Sequence, residues 1–204
     1  MKTFSIKEAL KRGWEIWKDN KKVLTLTGIV MILIGWIPNP ADGLLGAVFE
    51  VILFLISAFV SMSWLKMLLV MEGGGETRFS DLFKHRRFFW KYFFASLLLI
   101  LITGIGLILF IIPGIYFAMK YIFVLNLIVD KDMAISAAFK ESAKLTRGIK
   151  WRLLGLNVVM VLVFILGLMA LVVGILVALP VIALADVVVY RKLAENKGLQ
   201  RISI

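Results

Sequence analysis

The apolar stretch that decides the fold of this chain lies near its C-terminus. Residues 153–190 read LLGLNVVMVLVFILGLMALVVGILVALPVIALADVVVY and contain no lysine or arginine. A helix needs about 20 apolar residues to cross the hydrocarbon core of a bilayer, so this stretch is long enough to cross it twice. The basic residues Arg191 and Lys192 follow directly. The stretch therefore predicts two membrane-spanning helices joined as a hairpin, with both ends on one side of the membrane.

Two further stretches predict hairpins of the same kind. Residues 23–65 and 92–119 also contain no lysine or arginine, and the second reaches the length of two crossings when its flanks from 88 to 129 are included. We therefore predict six spans in three hairpins, at residues 23–38, 44–66, 88–106, 108–129, 152–171 and 174–190.

The turns of the three hairpins are signalled by residues that interrupt helices. A cluster of proline, asparagine and glycine predicts the first turn at 37–43. For the second hairpin both 103–106 and 113–114 are candidates, because each contains glycine. For the third, only Gly167 and Gly174 offer an interruption.

The composition of the chain agrees with a membrane protein. Of its 204 residues, 61% are hydrophobic, compared with about 45–50% in typical soluble domains. A soluble protein of this size would leave much of that apolar surface in water, so the composition excludes an ordinary soluble protein. The absence of cysteine excludes disulfides, thiolate nucleophiles and iron–sulfur clusters. We predict a single all-α integral membrane domain over residues 1–204.

The basic residues are concentrated in four blocks outside the apolar stretches. The net charge is +11, and all lysines and arginines lie within 1–22, 66–91, 120–152 and 191–201. Cytoplasmic loops of membrane proteins carry such an excess, whereas a nucleic-acid-binding protein would concentrate it on one soluble surface. We therefore predict that both termini and all four blocks face the cytoplasm, and that nucleic acid is not a partner.

Basic segments before the hairpins are typical of amphipathic helices that lie along a membrane surface. Residues 5–18 begin with a capping box of Ser5 and Glu8 and separate apolar from basic side chains at helical spacing. Residues 132–147 show the same separation. The predicted apolar stripe of the first segment is Ile6, Leu10, Gly13, Trp14 and Trp17. The side chains predicted to bind anionic lipid headgroups are Lys7, Lys11, Arg12, Lys140, Lys144 and Arg147.

The basic segments also resemble one another. A shift of 129 residues places Lys11 on Lys140 and Lys21 on Lys150, and a shift of 73 places Lys11 on Lys84. These matches predict three repeated units, each an interfacial helix followed by a hairpin. The alternative is that any basic segment preceding a membrane helix shows this pattern. The predicted units comprise residues 1–71, 79–130 and 132–193.

The chain lacks the residue combinations that soluble hydrolases and metal enzymes use. Its one histidine, His85, lies among cations in the segment 84–87, where positive charge disfavours both its protonation and a bound metal ion. A metal site needs three or more converging ligands, and no predicted span contains two carboxylates one helical turn apart. We predict no catalytic, cofactor-binding or metal-binding residue and no enzymatic activity.

Three ionisable residues lie inside the predicted spans, namely Glu50, Lys120 and Asp186. A charge in hydrocarbon must be paired, hydrated or neutralised. One interpretation is a path for a substrate or a proton that also uses Asn126 and Asn157. The other is structural, with Lys120 paired to Asp186 so that the register of two helices is fixed. We take this ion pair as a hypothesis.

The second half of the chain contains a set of short motifs, namely Ile112–Tyr116, Met119–Tyr121, Leu127–Asp130, Ala137–Ser142, Leu145–Gly148 and Tyr190–Leu193. With them the sequence resembles the six-helix membrane domain fused to some glycerophosphoryl diester phosphodiesterases, and equally some stand-alone membrane proteins of bacteria and archaea. In that family the hydrolase is a separate soluble barrel domain, for which this sequence shows no strand–helix pattern. The resemblance implies a multi-pass protein of a prokaryotic plasma membrane, without the phosphodiesterase activity.

Together these observations predict a non-enzymatic integral membrane protein with an accessory, lipid-interacting or docking role and no cofactor. Its predicted partners are anionic lipid headgroups. The alternative is a small transporter or channel that uses Glu50, Lys120 and Asp186. A second copy of the chain, or another membrane protein, is a candidate partner in both cases.

Overall fold

The computed structural model describes residues 4–38, 40, 42–83, 86–169 and 171–199. These residues form helices and contain no strand, so the predicted all-α class is confirmed. Two short 3-10 helices, Phe79–Phe83 and Arg86–Phe88, precede the fourth α-helix. The α-helices are α1 (Ile6–Asp19), α2 (Lys21–Gly35), α3 (Gly43–Glu72), α4 (Phe89–Leu109), α5 (Ile111–Tyr121), α6 (Val124–Lys131), α7 (Ile135–Leu145), α8 (Lys150–Met169) and α9 (Leu171–Asn196).

Five segments of the described chain are long and apolar enough to cross a membrane. The first predicted span, 23–38, is not among them. It corresponds to α2, which ends at Gly35 after 15 residues. At 1.5 Å per residue this helix is about 22 Å long, shorter than a hydrocarbon core of about 30 Å. A multi-pass helical protein is therefore confirmed, whereas a count of six spans is not. The five segments are Gly43–Glu72, Phe79–Leu109, Ile111–Lys131, Lys150–Met169 and Gly174–Asn196.

The first and third hairpins turn at the positions predicted from the residues that interrupt helices. α2 ends at Gly35 and α3 begins at Gly43, and α9 begins at Leu171, between the two glycines that bracket the third turn. The first of these glycines, Gly167, also allows a close helix contact. A Cβ added there would lie 2.7 Å from the Cβ of Ala178 and 2.9 Å from the carbonyl oxygen of Gly174. Small residues therefore let α8 and α9 approach closely.

The second hairpin turns at a single residue between the two predicted positions. Phe110 has an extended backbone, with φ −159° and ψ 137°, and separates α4 from α5. Gly106 and Gly114 lie inside the two helices and face each other. A Cβ added at Gly114 would lie 2.5 Å from the Cγ and 2.7 Å from the backbone nitrogen of Leu107. These glycines therefore serve helix packing and not the turn itself.

Helix α1 packs lengthwise on α9. Near its start, Glu8 pairs with Lys192 at 3.0 Å. Further along, a Cβ added at Gly13 would lie 2.9 Å from the carbonyl oxygen of Val181. The two helices are therefore antiparallel, and α1 is held alongside a candidate membrane span. Its predicted position along the membrane surface is not confirmed. Its predicted N-cap is confirmed, because the Glu8 N–H donates to the Ser5 hydroxyl at 3.4 Å.

The buried face of α1 differs from the predicted stripe. Ala9, Gly13 and Ile16 are buried, whereas Trp14 is 42% exposed and its ring stacks on that of Trp17. The close approach of α9 explains the difference, because small side chains fit there and an indole ring does not. The basic side is exposed as predicted, at Lys7, Lys11, Arg12 and Lys18.

Helix α7 packs where the fourth predicted span is interrupted, between α5 and α6. The Ser142 hydroxyl of α7 accepts a hydrogen bond from the Phe123 N–H at 3.3 Å and donates one to the Lys120 carbonyl at 3.1 Å. The Thr146 hydroxyl lies 3.1 Å from the same carbonyl. The backbone groups that the interruption leaves without helical partners are therefore satisfied by α7.

The loop that follows α6 is held by ion pairs to the start of α4. Asp132 adopts a left-handed backbone, with φ 50° and ψ 32°, and its carboxylate lies 2.7 Å from the Lys91 Nζ and 2.6 Å from the Arg87 guanidinium. The hydrogen bond from Lys91, with the positive charges of both partners, holds the pKa of Asp132 below its ordinary value. These contacts close the second hairpin at the end opposite Phe110.

We expect Gly114→Val to destabilise the protein, because its side chain would collide with α4 at Leu107. Overpacking of this kind typically costs about 1–3 kcal/mol, which should appear as a lower Tm of the purified protein in detergent. Gly104→Val is the matched control, since a Cβ at Gly104 meets nothing within 4 Å. An equal loss of Tm in both variants would contradict the close contact between α4 and α5.

We expect Asp132→Asn to lower Tm at neutral pH and to have progressively less effect in acid. A carboxyl group with a lowered pKa stabilises the folded state above its ordinary value of 3.8 and loses that contribution as pH falls through the folded pKa. Asparagine also tolerates the left-handed backbone, so the variant isolates the charge. The measurement is Tm against pH in detergent. A Tm difference that is the same at pH 3 and pH 7 would contradict the ion pairs.

Candidate functional site

A cavity of about 640 Å³ lies between the long helices of the bundle. Its walls come from α2, α3, α4, α6, α8 and α9 and are mainly apolar, with side chains such as Trp64, Leu68 and Met160. Polar side chains enter it from five of these helices. They are Ser61 of α3, Tyr92 of α4, Asn126 of α6, Asn157 of α8 and Asp186 of α9. A polar patch at this position is the feature of the bundle best suited to bind a ligand.

Asp186 is the one carboxylate among the described residues that line this cavity, and no lysine or arginine among them faces it. The amide of Asn126 is directed at it. Asn126 is only 4% exposed, and its amide nitrogen is without a partner at full hydrogen-bonding geometry. Within a membrane, a carboxylate without a cationic neighbour is either protonated or balanced by a bound cation or water.

Asn157 brings a second amide to the cavity. Its Nδ2 donates to the Leu153 carbonyl at 2.9 Å and approaches the Met119 sulfur at 3.7 Å. These contacts use the amide protons, so its oxygen is the group with remaining hydrogen-bonding capacity. Carboxylate and amide oxygens together suit a small cation or a polar ligand with N–H or O–H donors.

Two of the three predicted intramembrane charges lie away from this cavity. Glu50 is exposed on α3 and does not belong to the lining. The ammonium group of Lys120 lies over the rings of Tyr121 and Phe117, 5.0 and 5.9 Å from their centroids. The structure therefore does not bring Lys120 to Asp186, and the hypothesised ion pair is not formed. It does bring Asp186 together with Asn126 and Asn157, as the path interpretation requires.

A buried ionic cluster joins three helices at one end of the bundle. The Arg191 guanidinium of α9 lies 2.9 Å from the Asp130 carboxylate of α6 and 3.3 Å from the Glu72 carboxylate of α3. The Tyr190 hydroxyl donates to Asp130 at 2.9 Å. Lys131 lies 3.2 Å from the same carboxylate. With side chains 5–9% exposed for Asp130, Lys131 and Arg191, these charges are desolvated and must be paired.

Sequence reasoning missed this cluster. Asp130 and Arg191 directly follow the predicted spans 108–129 and 174–190, and the sequence analysis assigns them no contact. One signal was present, since both belong to the motifs that carry the family resemblance. Opposite charges at equivalent ends of two spans could have been proposed as partners, but the sequence does not say which sides of the helices face each other.

The residues predicted to bind headgroups lie on the surface. Lys7, Lys11, Lys140 and Arg147 are exposed. The other two also face solvent and form surface ion pairs on their own helices, Arg12 with Glu15 at 3.7 Å and Lys144 with Glu141 at 2.8 Å. Among the described residues, no group of three or more His, Asp or Glu side chains could hold a metal ion. His85 lies outside the described residues.

Comparison with known proteins agrees with this architecture. No curated protein and no solved structure matches the chain. One family model matches residues 88–194, and its description is the membrane domain of glycerophosphoryl diester phosphodiesterase. The match covers α4 to α9 and includes Asp130, Asn126, Asn157, Asp186 and Arg191. It covers more than half of the chain, and so the protein belongs to the family of the glycerophosphoryl diester phosphodiesterase membrane domain.

Proposed function

We propose that this protein is a non-enzymatic accessory component of a membrane that binds anionic lipid headgroups through α1 and α7. The observation that carries the proposal is the exposure of the basic side chains on two helices whose other faces are buried in the bundle. α1 buries Ala9 and Gly13, and α7 buries Ala138 and Ser142. The anchored helices hold their lysines and arginines in fixed positions, which reduces the entropy lost on binding.

The same proposal assigns the orientation of the protein. Anionic lipids give the cytoplasmic leaflet a negative surface potential, and each lysine or arginine near it contributes about 1 kcal/mol of attraction. The net charge of +11 and the four basic blocks favour a position of both termini at the cytoplasmic side of a prokaryotic plasma membrane. The family supports the membrane location, because its description names a membrane domain.

We expect the combined substitution Lys7→Ala, Lys11→Ala and Arg12→Ala to remove most of the preference for anionic lipid. The Tm of the wild-type protein in nanodiscs should rise when part of the phosphatidylcholine is replaced by phosphatidylglycerol. The variant should lose most of that rise, because it lacks the charges of one face. Intrinsic tryptophan fluorescence during heating measures Tm, at low salt so that exposed charges are not screened.

The matched control keeps the charge and changes the residue, with Lys7→Arg, Lys11→Arg and Arg12→Lys. It should behave like the wild type, because attraction to a charged surface depends on charge and not on side-chain shape. A second set on α7, at Lys140, Lys144 and Arg147, tests the other face. If neither alanine set changes the dependence of Tm on phosphatidylglycerol, the headgroup-binding function is wrong.

The polar cavity supports transport as a second candidate function. Asp186, Asn126 and Asn157 face one space inside the bundle, and no basic side chain among its described lining residues neutralises the carboxylate. A carboxylate in that setting can take up and release a proton or a small cation. Because Lys120 and Glu50 do not line the cavity, this function would use Asp186 alone of the three predicted charges.

Under this second function we expect Asp186→Asn to abolish proton uptake into proteoliposomes, measured with an entrapped pH-sensitive dye under a potassium diffusion potential. Asparagine keeps the size and polarity of aspartate and removes its titration. Lys120→Ala is the control and should leave uptake unchanged, because its ammonium group lies outside the cavity. Wild-type protein without uptake, or equal uptake by Asp186→Asn, would exclude this transport and would not affect the headgroup-binding function.

A further inference from the structure

An apolar groove with a lysine at its edge opens on the bundle surface between α5 and α8. Its volume is about 500 Å³, and its lining includes Ile115, Tyr116, Met119, Lys150, Trp151 and Leu154. The Lys150 ammonium lies 3.6 Å from the centroid of the Tyr116 ring, so cation–π contact holds it over the groove. Trp151 is 85% exposed. We call this space the α5/α8 groove.

A second groove of about 600 Å³ lies between α2 and α9. Its lining includes Lys21, Lys22, Thr25, Leu26, Leu176 and Val177, so lysines at the start of a helix again border apolar walls. Trp17 also lines it, and its indole N–H is buried without a hydrogen-bond partner in the described structure. We call this space the α2/α9 groove.

The lysine-bearing walls of the two grooves occupy corresponding positions in the sequence. The shift of 129 residues that relates the first and third basic segments places Lys21 on Lys150 and Thr25 on Leu154. The lysines stand at the start of the helix that follows a basic segment, α2 in one groove and α8 in the other. The facing wall comes from a helix of another predicted unit, α9 for the first groove and α5 for the second. The same combination of lysine and apolar wall therefore occurs twice in one chain.

We propose that each groove binds one anionic phospholipid, with its phosphate on the lysine and an acyl chain along the apolar wall. The inference rests on the proposed headgroup-binding function and names the lipid class and the sites. Apolar walls alone would accept any lipid, whereas the lysine favours a negatively charged headgroup over a zwitterionic one, because it adds a charge-assisted contact. Free phosphate lacks the chain that would fill the apolar space.

The test is a lipid titration of the protein in detergent, read by native mass spectrometry. With phosphatidylglycerol, two lipids should bind more tightly than any that follow, and more tightly than phosphatidylcholine. Lys150→Ala should leave only the tight site in the α2/α9 groove. The pair Lys21→Ala and Lys22→Ala should leave only the tight site in the α5/α8 groove. The variant that combines all three substitutions should have no tight site. Loss of Lys150 should weaken binding at its site about tenfold, which corresponds to one charged contact. Loss of both Lys21 and Lys22 should weaken binding at the other site at least as much.

Arg152→Ala is the matched control for Lys150→Ala, because Arg152 is exposed on the same helix and does not line the groove. It removes the same charge and should leave both tight sites. Lys150→Arg should restore binding if the charge is what the lipid recognises. The Tm of each variant in detergent identifies those that fail to fold, and Lys150→Arg then provides the comparison for the groove.

Three results would overturn the proposal. One is equal weakening by Arg152→Ala and Lys150→Ala, since that would make the effect one of net charge. Another is tight binding of phosphatidylcholine at the same stoichiometry, since the lysines would then have no role. The third is binding of inorganic phosphate in place of the lipid. The groove proposal and the broader headgroup-binding function can be told apart. If the grooves do not bind lipid as proposed, but the Tm of the Lys7, Lys11 and Arg12 variant in nanodiscs no longer depends on phosphatidylglycerol, the headgroup-binding function stands.

Discussion

The buried pairing of Arg191 with Asp130 is the interaction on which the arrangement of the bundle depends. A guanidinium at this depth is tolerated only when acceptors surround it, and here they come from two other helices. Asp130 of α6 and Glu72 of α3 neutralise it, and the Leu69 carbonyl of α3 accepts a further hydrogen bond at 3.2 Å. Breaking one partner would leave a charge unpaired in an apolar environment. The pairing therefore fixes the register of α3, α6 and α9 relative to one another.

That register determines which side chains enter the cavity. Asn126 lies one helical turn before Asp130 on α6, and Asp186 lies one turn before Tyr190 on α9. Residues four apart share a helix face, so the contacts of Asp130 with Tyr190 and Arg191 also turn Asn126 and Asp186 toward the same space. The ionic cluster and the polar cavity are thus consecutive layers of one interface. The ionic cluster stabilises the interface between α6 and α9. In the cavity, by contrast, polar groups keep unused hydrogen-bonding capacity.

Much of this organisation could be predicted from the chain. Long apolar stretches need a bilayer, and the residues at 37–43 and around Gly167 and Gly174 mark turns, as the structure confirms. The sequence could not show that α2 would end at Gly35. Nor could it distinguish a glycine that ends a helix from one that packs two helices, which is why Gly106 and Gly114 were candidates for a turn that occurs at Phe110.

The site was harder to predict, for a geometric reason. Position along a span gives the depth of a side chain, but not the direction in which it points around the helix axis. Lys120 and Asp186 were paired by depth, and the structure directs Lys120 to the rings of Phe117 and Tyr121. The sequence places Asn126 and Asn157 on a path with the ionisable groups, and the structure brings both amides to the cavity of Asp186. The chemical type of a side chain was therefore a better guide to the cavity residues than its depth in the span.

The motifs of the family now have a physical explanation. Ser142 and Thr146 satisfy the backbone at the interruption between α5 and α6, and Tyr190 and Arg191 complete the cluster with Asp130. Each of these motif residues supports the architecture of the bundle. They show how one fold can be retained without showing what it binds. Asp186 in the cavity and the lysines of the grooves are different, because these charged side chains lie outside the buried ionic cluster. Function is therefore to be sought at these positions.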